Sequence, residues 1–483
     1  MGEPNMSPEL PERVSVTGLG VSGPPVVRAL LARGVTVTVV DARDDATTCQ
    51  RAEELRELGA EVVLGATTLP PATQLVVTSP GWRPDSPMLL DAQARGVSVI
   101  GDVELAWRLR PSGQCWLGVT GTNGKTTVVR MLEAMLRADG RHTQAVGNVG
   151  TPIISAVASG VGSSEPAEFL VVELSSFQLH WSCSVTPHAA VVLNVAADHV
   201  DWHGDMAAYA AAKGKIYAPG TIRVVNPADP TVVRLAERDG DPTSPLVAIT
   251  DHEPEPGQLG VVAGALVERT QDSGRTGSAT ETGAAVTELA RVADIRPAAA
   301  HSITNALAAA ALARSVGVRP EAIRQGLLDF TPEPHRVNVV ATVAGVCYVN
   351  DSKATNPHAA AASLAAYQAP VWIAGGLLKG AAVDDLVAGA ADRLRAVVLL
   401  GADRRQLRSA LDRHAPHVPV IEVERVDDEA MTEVVTVAAS LAATHGADTV
   451  LLAPAAASMD MFSDYAARGS AYAHAVQQLS FVS

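Results

Sequence analysis

The sequence predicts an α/β protein of three domains, and three observations carry that expectation. At 483 residues the chain has room for roughly three domains of about 150 residues each. Two apolar strand-like runs, Val14 to Thr17 and Cys115 to Val119, end in glycine-rich turns that open helices, an arrangement suited to holding phosphate groups. A last third carries further short strands, Gly345 to Val349, Val371 to Ala374, Val397 to Leu400 and Thr449 to Leu452, enough for a small α/β sheet of its own. The expected order is an N-terminal Rossmann-like domain (1–110), a central P-loop ATPase-like domain (111–330) and a C-terminal Rossmann-like α/β domain (331–483).

Composition narrows the functional classes. Hydrophobic residues at 47% against 18% charged supply buried cores and argue against global disorder. The formal net charge of −15 does not suit a nucleic-acid binder, which normally presents a basic face. It leaves anionic small substrates open, because arginines or a cation can invert the sign inside a cleft. Cys49, Cys115, Cys183 and Cys347 are scattered without metal spacing, so a reducing cytosol fits; Cys115 and Cys347, in apolar runs, are expected in the core. The first residues lack an apolar signal segment, Met6 breaks a myristoylation pattern, and no run approaches the ~18 apolar residues of a membrane span. A soluble cytoplasmic monomer that touches neither membrane nor nucleic acid is expected.

In the first domain, Val14–Thr17 leads into Gly18-Leu19-Gly20-Val21-Ser22-Gly23, then a helix to Arg33 and a strand from Val35 ending at Asp41. Pro24 and Pro25 are tolerable because a first helical turn does not use its N–H groups. A strand–turn–helix–strand unit closed by an acidic residue reads as dinucleotide binding. A lone G-x-G-x-x-G is weak support for that, since the glycines can serve packing alone. The strand Leu75–Thr78 ends at Ser79-Pro80-Gly81, a short strand Val97–Ile100 follows, and Arg110–Gly113 reads as a linker.

The central domain opens with Gly118-Val119-Thr120-Gly121-Thr122-Asn123-Gly124-Lys125-Thr126-Thr127 and a helix to Ala138. Glycines let backbone N–H groups turn inward around a phosphate, and the helix N-terminus adds partial positive charge. Lys125 can reach β/γ-phosphates, and the Thr126 hydroxyl suits Mg²⁺. The first glycine of the strict Walker pattern falls on Val119, yet strand before and helix after still read as an ATP site. Downstream, Phe169–Glu173 places a carboxylate at the C-terminal end of an apolar strand, where open α/β sheets bind ligands. Strand Ala189–Leu193 leads to His199, Asp201 and His203; the last two read as solvated loop. Lys213, on a helix with Tyr209, reads by composition as a surface lysine. Gly147-Asn148-Val149-Gly150 reads equally as a plain turn. His301 and Asn305 share a helix face at i and i+4, and the polar stretch Thr270–Gly283 reads as a mobile loop tip.

The wording T-G-T-N-G-K-T-T is narrower than a generic phosphate loop and resembles the Mur ligases, the ATP-dependent amide-forming enzymes of peptidoglycan assembly, and their folylpolyglutamate synthase relatives. Matching segments run from Gly18 to Gly469 in the expected order. The resemblance implies that the first glycine turn takes a uridine diphosphate. Gly18, Leu19, Gly20, Ser22 and Gly23 would lie on the pyrophosphate, Asp41 and Arg43 near the uridine, and Ser79, Gly81 and Asn148 near the substrate. It implies ATP contacts from Gly121, Thr122, Asn123, Gly124, Lys125, Thr126, Thr127, Asn305, Arg336 and Asp351. It also implies two Mg²⁺ ions, one held by Thr126 and Glu173. The second would be held by His199 and by a Lys213 that CO₂ has converted to a carbamate. Lys125, Asn148, His199 and Lys213 would then be the catalytic set.

The segment Asp351-Ser352-Lys353-Ala354-Thr355-Asn356 is similar to that of the D-glutamate-adding enzymes of the family. The D-N-P-R motif of the diaminopimelate- or lysine-adding ones is absent. The resemblance accordingly implies UDP-N-acetylmuramoyl-L-alanine, D-glutamate and ATP as substrates. Lys353, Thr355, Ser458 and Tyr465 would surround the amino acid; the family often has Phe at the last, so the contact of the Tyr465 hydroxyl stays open. Folylpolyglutamate synthesis, a nicotinamide-dependent oxidoreductase resting on Gly18–Gly23, and a silent UDP-sugar sensor are the competing readings.

Overall fold

The computed structural model describes residues 10–158, 166–270, 285–297, 300–427 and 429–480. It divides into two compact units, one of residues up to 195 with 199–295 and 303–330, the other of 196–198, 296–302 and 331 onward. Apart from Thr270, the stretch expected as a loop tip lies outside the described residues.

The first unit holds two parallel sheets. The N-terminal one has five strands in the spatial order Glu61–Leu64, Thr36–Asp41, Arg13–Thr17, Leu75–Thr78 and Ser98–Gly101. The central one has six, ordered Leu246–Ala248, Ile222–Val225, Ala189–Val192, Cys115–Thr120, Phe169–Glu173 and Thr143–Gly147, all parallel. Strands such as Phe169–Glu173 and Ala189–Val192 are buried throughout, as continuous apolar runs require when helices cover both faces. Gln258–Val262, Ala265–Arg269 and Val286–Arg291 add a small antiparallel sheet.

The second unit carries a six-stranded sheet. Thr449–Leu452 lies between Val346–Asn350 and Pro370–Gly375, followed by Ala396–Leu400 and Val420–Glu422. Asn338–Val343 pairs antiparallel on the Val346–Asn350 edge. The joining turn, Ala344 (φ 49°) and Gly345 (φ 83°), has both central residues left-handed, as a two-residue hairpin demands. Cys115 and Cys347 are half-buried at strand starts rather than in the core expected for them. Among the described residues no helix is long and apolar enough to cross a membrane.

Within the first unit, helix Asp102–Leu109 ties the N-terminal sheet to the central one. Gly101 N–H donates to Trp181 O (2.9 Å). The fully buried Glu104 accepts from Cys183 N–H, Ser184 N–H and the Ser184 hydroxyl, and pairs with Arg108. Burial alone would raise its pKa, but these donors bring it down to about 2 from 4.5. A depressed carboxylate stabilises the fold above its unfolded pKa and loses that contribution as pH falls toward the folded value. Glu104→Gln should therefore cost about 3 kcal/mol at neutral pH. It should also flatten the decline in stability between pH 4.5 and 2, read by denaturant unfolding across that range; an unchanged acid limb would refute the assignment.

Candidate active site

The phosphate loop is built by three separated segments. Strand Cys115–Thr120 delivers Gly121, whose φ of 152° and Gly124's of 87° let the chain turn before helix Lys125–Ala138 begins. Thr122 N–H donates to Asn194 O and Asn123 N–H to Asn194 Oδ1, each at 2.9 Å, so a residue two positions past strand Ala189–Val192 props up the loop. On the other side, a Cβ at Gly124 would sit 2.6 Å from Asn305 Oδ1. Asn305 thus lies against the loop, and Gly124 admits no side chain. The N-cap residue, Gly124, offers no side-chain cap, and a helix N-terminus of this kind favours an anion. Lys125 Nζ folds back onto Gly121 O and Thr122 O (both 2.9 Å). Thr126 is buried and Thr127 half-buried in the first turn.

Glu173 ends the strand beside this one, its backbone paired with Val119 on one side and Gly147 on the other. A Cβ at Gly147 would overlap the Glu173 carbonyl, which explains the glycine. Asn148 N–H donates to Glu173 O (3.0 Å) and its side-chain amide to Glu173 Oε1 (2.9 Å), so this turn positions the carboxylate. Glu173 Oε2 is buried and has no hydrogen-bond partner among the described residues. A buried anionic oxygen left so is costly, and a hard cation would satisfy it. Among the described residues no three His, Cys, Asp or Glu cluster as a metal cage. Mg²⁺ takes one or two carboxylates and completes its shell with water and phosphate oxygens.

Two expectations need correction here. Lys213 is not a surface lysine: it is 1% exposed, donates to Gly121 O (2.8 Å) and lies 4.6 Å from the Tyr209 ring centroid. Tyr209 OH in turn meets the Thr122 hydroxyl at 3.0 Å. His203 is not solvated loop either. It is half-buried, hydrogen-bonded to Ser176 Oγ (3.0 Å) and stacked on Phe177. Burial, helped by the charges of His180, Lys213 and His199, pushes its pKa down to about 4. Asp201 is exposed as expected. His199, left-handed at φ 51°, packs edge-on against Phe177, centroids 4.8 Å apart.

In the N-terminal sheet, Gly18 (φ 93°) turns the chain; a Cβ there would lie 2.9 Å from Trp82 Nε1 and 3.0 Å from Ser79 Oγ. Gly23 has no room either, facing the Gly18 carbonyl, whereas Gly20 and Gly81 face open space. Asp41 is buried and accepts from Leu19 N–H (2.7 Å), Arg43 N–H (2.9 Å) and the Arg43 guanidinium. Burial raises its pKa, and these donors outweigh that and hold it below the ordinary value. Asp41 therefore pins the turn from beneath. Asp41→Ala should raise KM for the UDP substrate while leaving that for ATP nearly unchanged; steady-state kinetics with each substrate varied would check this, and a selective ATP defect would overturn it.

The second unit gathers the remaining residues. Asp351 is buried, accepts from the Ser363 hydroxyl and is pushed up to about 6 by burial, with Arg336 opposing. Arg336 pairs with Glu333 at 3.4 Å. The Lys353 ammonium lies 3.8 Å from the Tyr465 ring centroid, a cation–π contact that gives the ring a partner. Thr355 is half-buried and Ser458 buried. Sequence reasoning passed over Arg468, which is 1% exposed. It donates to Ser352 Oγ (3.0 Å), Ser352 O (2.9 Å) and Ala456 O (3.0 Å). It thereby fixes the Asp351–Thr355 segment to the one that leads to Ser458. Burial brings its pKa down to about 10. Asn194 was likewise given no role from the sequence.

Models of three domain families match along the chain: the Mur ligase MurD-like N-terminal domain over residues 12–101, the Mur ligase middle domain over 119–313, and the Mur ligase glutamate ligase domain over 335–456. A UDP-N-acetylmuramoylalanine–D-glutamate ligase of Thermobifida fusca is 64% identical over 470 residues, covering 97% of this chain and 98% of that protein. A protein of the same name from Streptomyces avermitilis is 52% identical with the same coverage. Among solved structures, a pseudomurein peptide ligase type C from Methanothermus fervidus aligns over 97% of this chain and all of its own, at 16% identity and a TM-score of 0.57. The UDP-N-acetylmuramate–alanine ligase of Thermotoga maritima aligns over 96% and 99%, at 17% and 0.54; both likenesses concern the fold. With models of all three domains matched in order and near full-length relatives above half identity, this chain belongs to the Mur ligase family.

Proposed function

We propose that this chain joins D-glutamate to UDP-N-acetylmuramoyl-L-alanine at the expense of ATP, the reaction its curated relatives are named for. As a Mur ligase it is an amide-forming enzyme. The observation that carries the chemistry is the phosphate loop with Lys125 beside a strand end whose buried Glu173 oxygen has no hydrogen-bond partner among the described residues. A carboxylate is a poor acceptor for an amine because its leaving group would be oxide. Transfer of the γ-phosphoryl group to the substrate carboxylate gives an acyl phosphate. The D-glutamate amine attacks, the tetrahedral intermediate collapses, and amide, phosphate and ADP result. Such transfer needs positioning and charge neutralisation more than a protein nucleophile.

The loop N–H groups and Lys125 orient the triphosphate, and the Asn148 amide holds Glu173 in place. Mg²⁺, when bound, neutralises charge on phosphate oxygens; Thr126 and Glu173 would hold one ion, and His199 with a carbamylated Lys213 a second. Residues 1–110 would bind the UDP moiety, 111–330 ATP, and 331–483 D-glutamate through Lys353, Thr355, Ser458 and Tyr465. A cytoplasmic monomer is part of the same reading. The test is phosphate release from ATP: it should require both UDP-N-acetylmuramoyl-L-alanine and D-glutamate. Turnover with L-glutamate and a folate acceptor instead would overturn the substrate assignment.

A further inference from the structure

His199 is the N-cap of the four-residue helix Val200–His203, far short of the roughly 12 residues that an isolated helix needs. What docks on this helix therefore decides where His199 sits. Two ties come from the central domain: Trp202 packs on Phe177, ring centroids 4.6 Å apart, and His203 Nε2 meets Ser176 Oγ. The His199 carbonyl accepts from Trp202 N–H (3.1 Å) and His203 N–H (3.2 Å), so a shift of the helix carries His199 with it. The last carbonyls of a helix have no partner within it. That of Asp201 accepts from Arg83 Nη1 at 3.0 Å, from 118 positions earlier in the chain.

Arg83 belongs to the N-terminal domain, in the loop between strand Leu75–Thr78 and helix Pro87–Ala94. Its guanidinium is fixed before it reaches across. Nε and Nη2 donate to the two carboxylate oxygens of Asp85 at 3.0 and 3.1 Å, a two-pronged geometry that orients the planar group. The base of the loop is tied as well. Ser79 N–H and the Ser79 hydroxyl both donate to Thr17 O (3.2 and 3.0 Å), and Trp82 N–H donates to Ser79 O (3.1 Å). With the Trp82 indole against Gly18, one short loop touches both the first glycine turn and the segment that carries His199. The Arg83 side chain is about half exposed, and an ion pair so placed adds little to stability. Its use is geometric.

We propose that Arg83 is a positioning residue for His199: a strut from the loop beside the nucleotide-sugar turn that holds the Asp201 carbonyl, and with it the helix that His199 caps. This rests on the reading that His199 takes a cation. An imidazole ligand serves only when its ring is held near the productive geometry, and groups that orient a ligand from behind govern affinity nearly as much as the ligand does. The strut runs from the N-terminal domain to the central one. The domain read as taking the nucleotide sugar thus helps to build the site read as handling phosphate.

The experiment titrates Mn²⁺ into the whole chain and its variants in the presence of a non-hydrolysable ATP analogue, counting bound ions by electron paramagnetic resonance. Wild type should bind two ions and His199→Ala one. Arg83→Ala should weaken the second ion about tenfold, the scale of losing a group that orients a ligand. The first ion and the thermal unfolding temperature should not move. In phosphate release, kcat should fall about tenfold while KM for UDP-N-acetylmuramoyl-L-alanine stays within about twofold of wild type. Arg83→Lys, which keeps a donor but loses the fork to Asp85, should fall between. In a His199→Ala background, Arg83→Ala should add no further loss, since the strut acts through that residue. An unchanged second ion in Arg83→Ala, a loss confined to KM, or a full further loss on top of His199→Ala would overturn the proposal. A wild-type protein that binds one ion, or a His199→Ala protein that still binds two, would instead overturn the reading of His199, and the proposal with it.

Discussion

Lys125→Ala is expected to lose phosphate release by a factor on the order of 10³ or more, with thermal unfolding nearly unchanged. The residue is half-buried and its ammonium donates to the Gly121 and Thr122 carbonyls of its own loop, so removing it takes away charge without opening a core. The loss should fall on the chemical step as well as on ATP affinity. Charge on the transferring group grows toward the transition state, and a preorganised ammonium counters it without reorganisation. Single-turnover measurement at saturating ATP separates the two effects. Near-normal turnover would remove the loop from the chemistry altogether.

The other large effect concerns Lys213. Its nitrogen and that of Lys125 both bond the Gly121 carbonyl, which brings them within about 6 Å. Two ammonium charges at that separation repel by about 3 kcal/mol at an effective dielectric near 20. Addition of CO₂ to the neutral amine forms an N–C bond, releases a proton and leaves an anionic carbamate. That turns the repulsion into attraction and supplies oxygen ligands for a hard cation. Activity should fall in CO₂-depleted buffer and recover with bicarbonate. Lys213→Ala should be crippled, on the order of 10³-fold, and insensitive to bicarbonate. Lys215→Ala, whose ammonium bonds His180 O and Ser182 O, should keep near-normal turnover. A carbon-13 carbamate signal from labelled bicarbonate, present in wild type and absent in Lys213→Ala, tests the modification apart from activity. Its absence from an active, metal-loaded enzyme would defeat the idea.

What the sequence made legible were features encoded locally. Strand runs such as Phe169–Glu173, glycine turns at Gly18 and Gly121, and the helix after Lys125 each depend on periodicity or on a residue's own conformational freedom. The burial of Lys213 was illegible because it depends on a helix docking against the phosphate loop, and composition around a lysine does not report that. His203 misled for the same reason: the Phe177 and Tyr209 rings it packs against come from other elements. Arg468 acts through Ser352, 116 residues away along the chain. The edge strand Asn338–Val343 carries no buried apolar face, so alternation gave no signal for it.

The contact between Gly124 and Asn305 also bears on synthesis. The loop's shape is set by residues near 121, by Asn194, and by a helix roughly 180 residues beyond Gly124, and contacts so distant along the chain form late and slowly. A nascent polypeptide leaving the ribosome displays the whole loop wording long before the helix that braces it has been translated. Nucleotide affinity is thus acquired during biogenesis only once Asn305 has emerged and docked, and fragments ending before residue 300 should fail to retain ATP on an affinity resin.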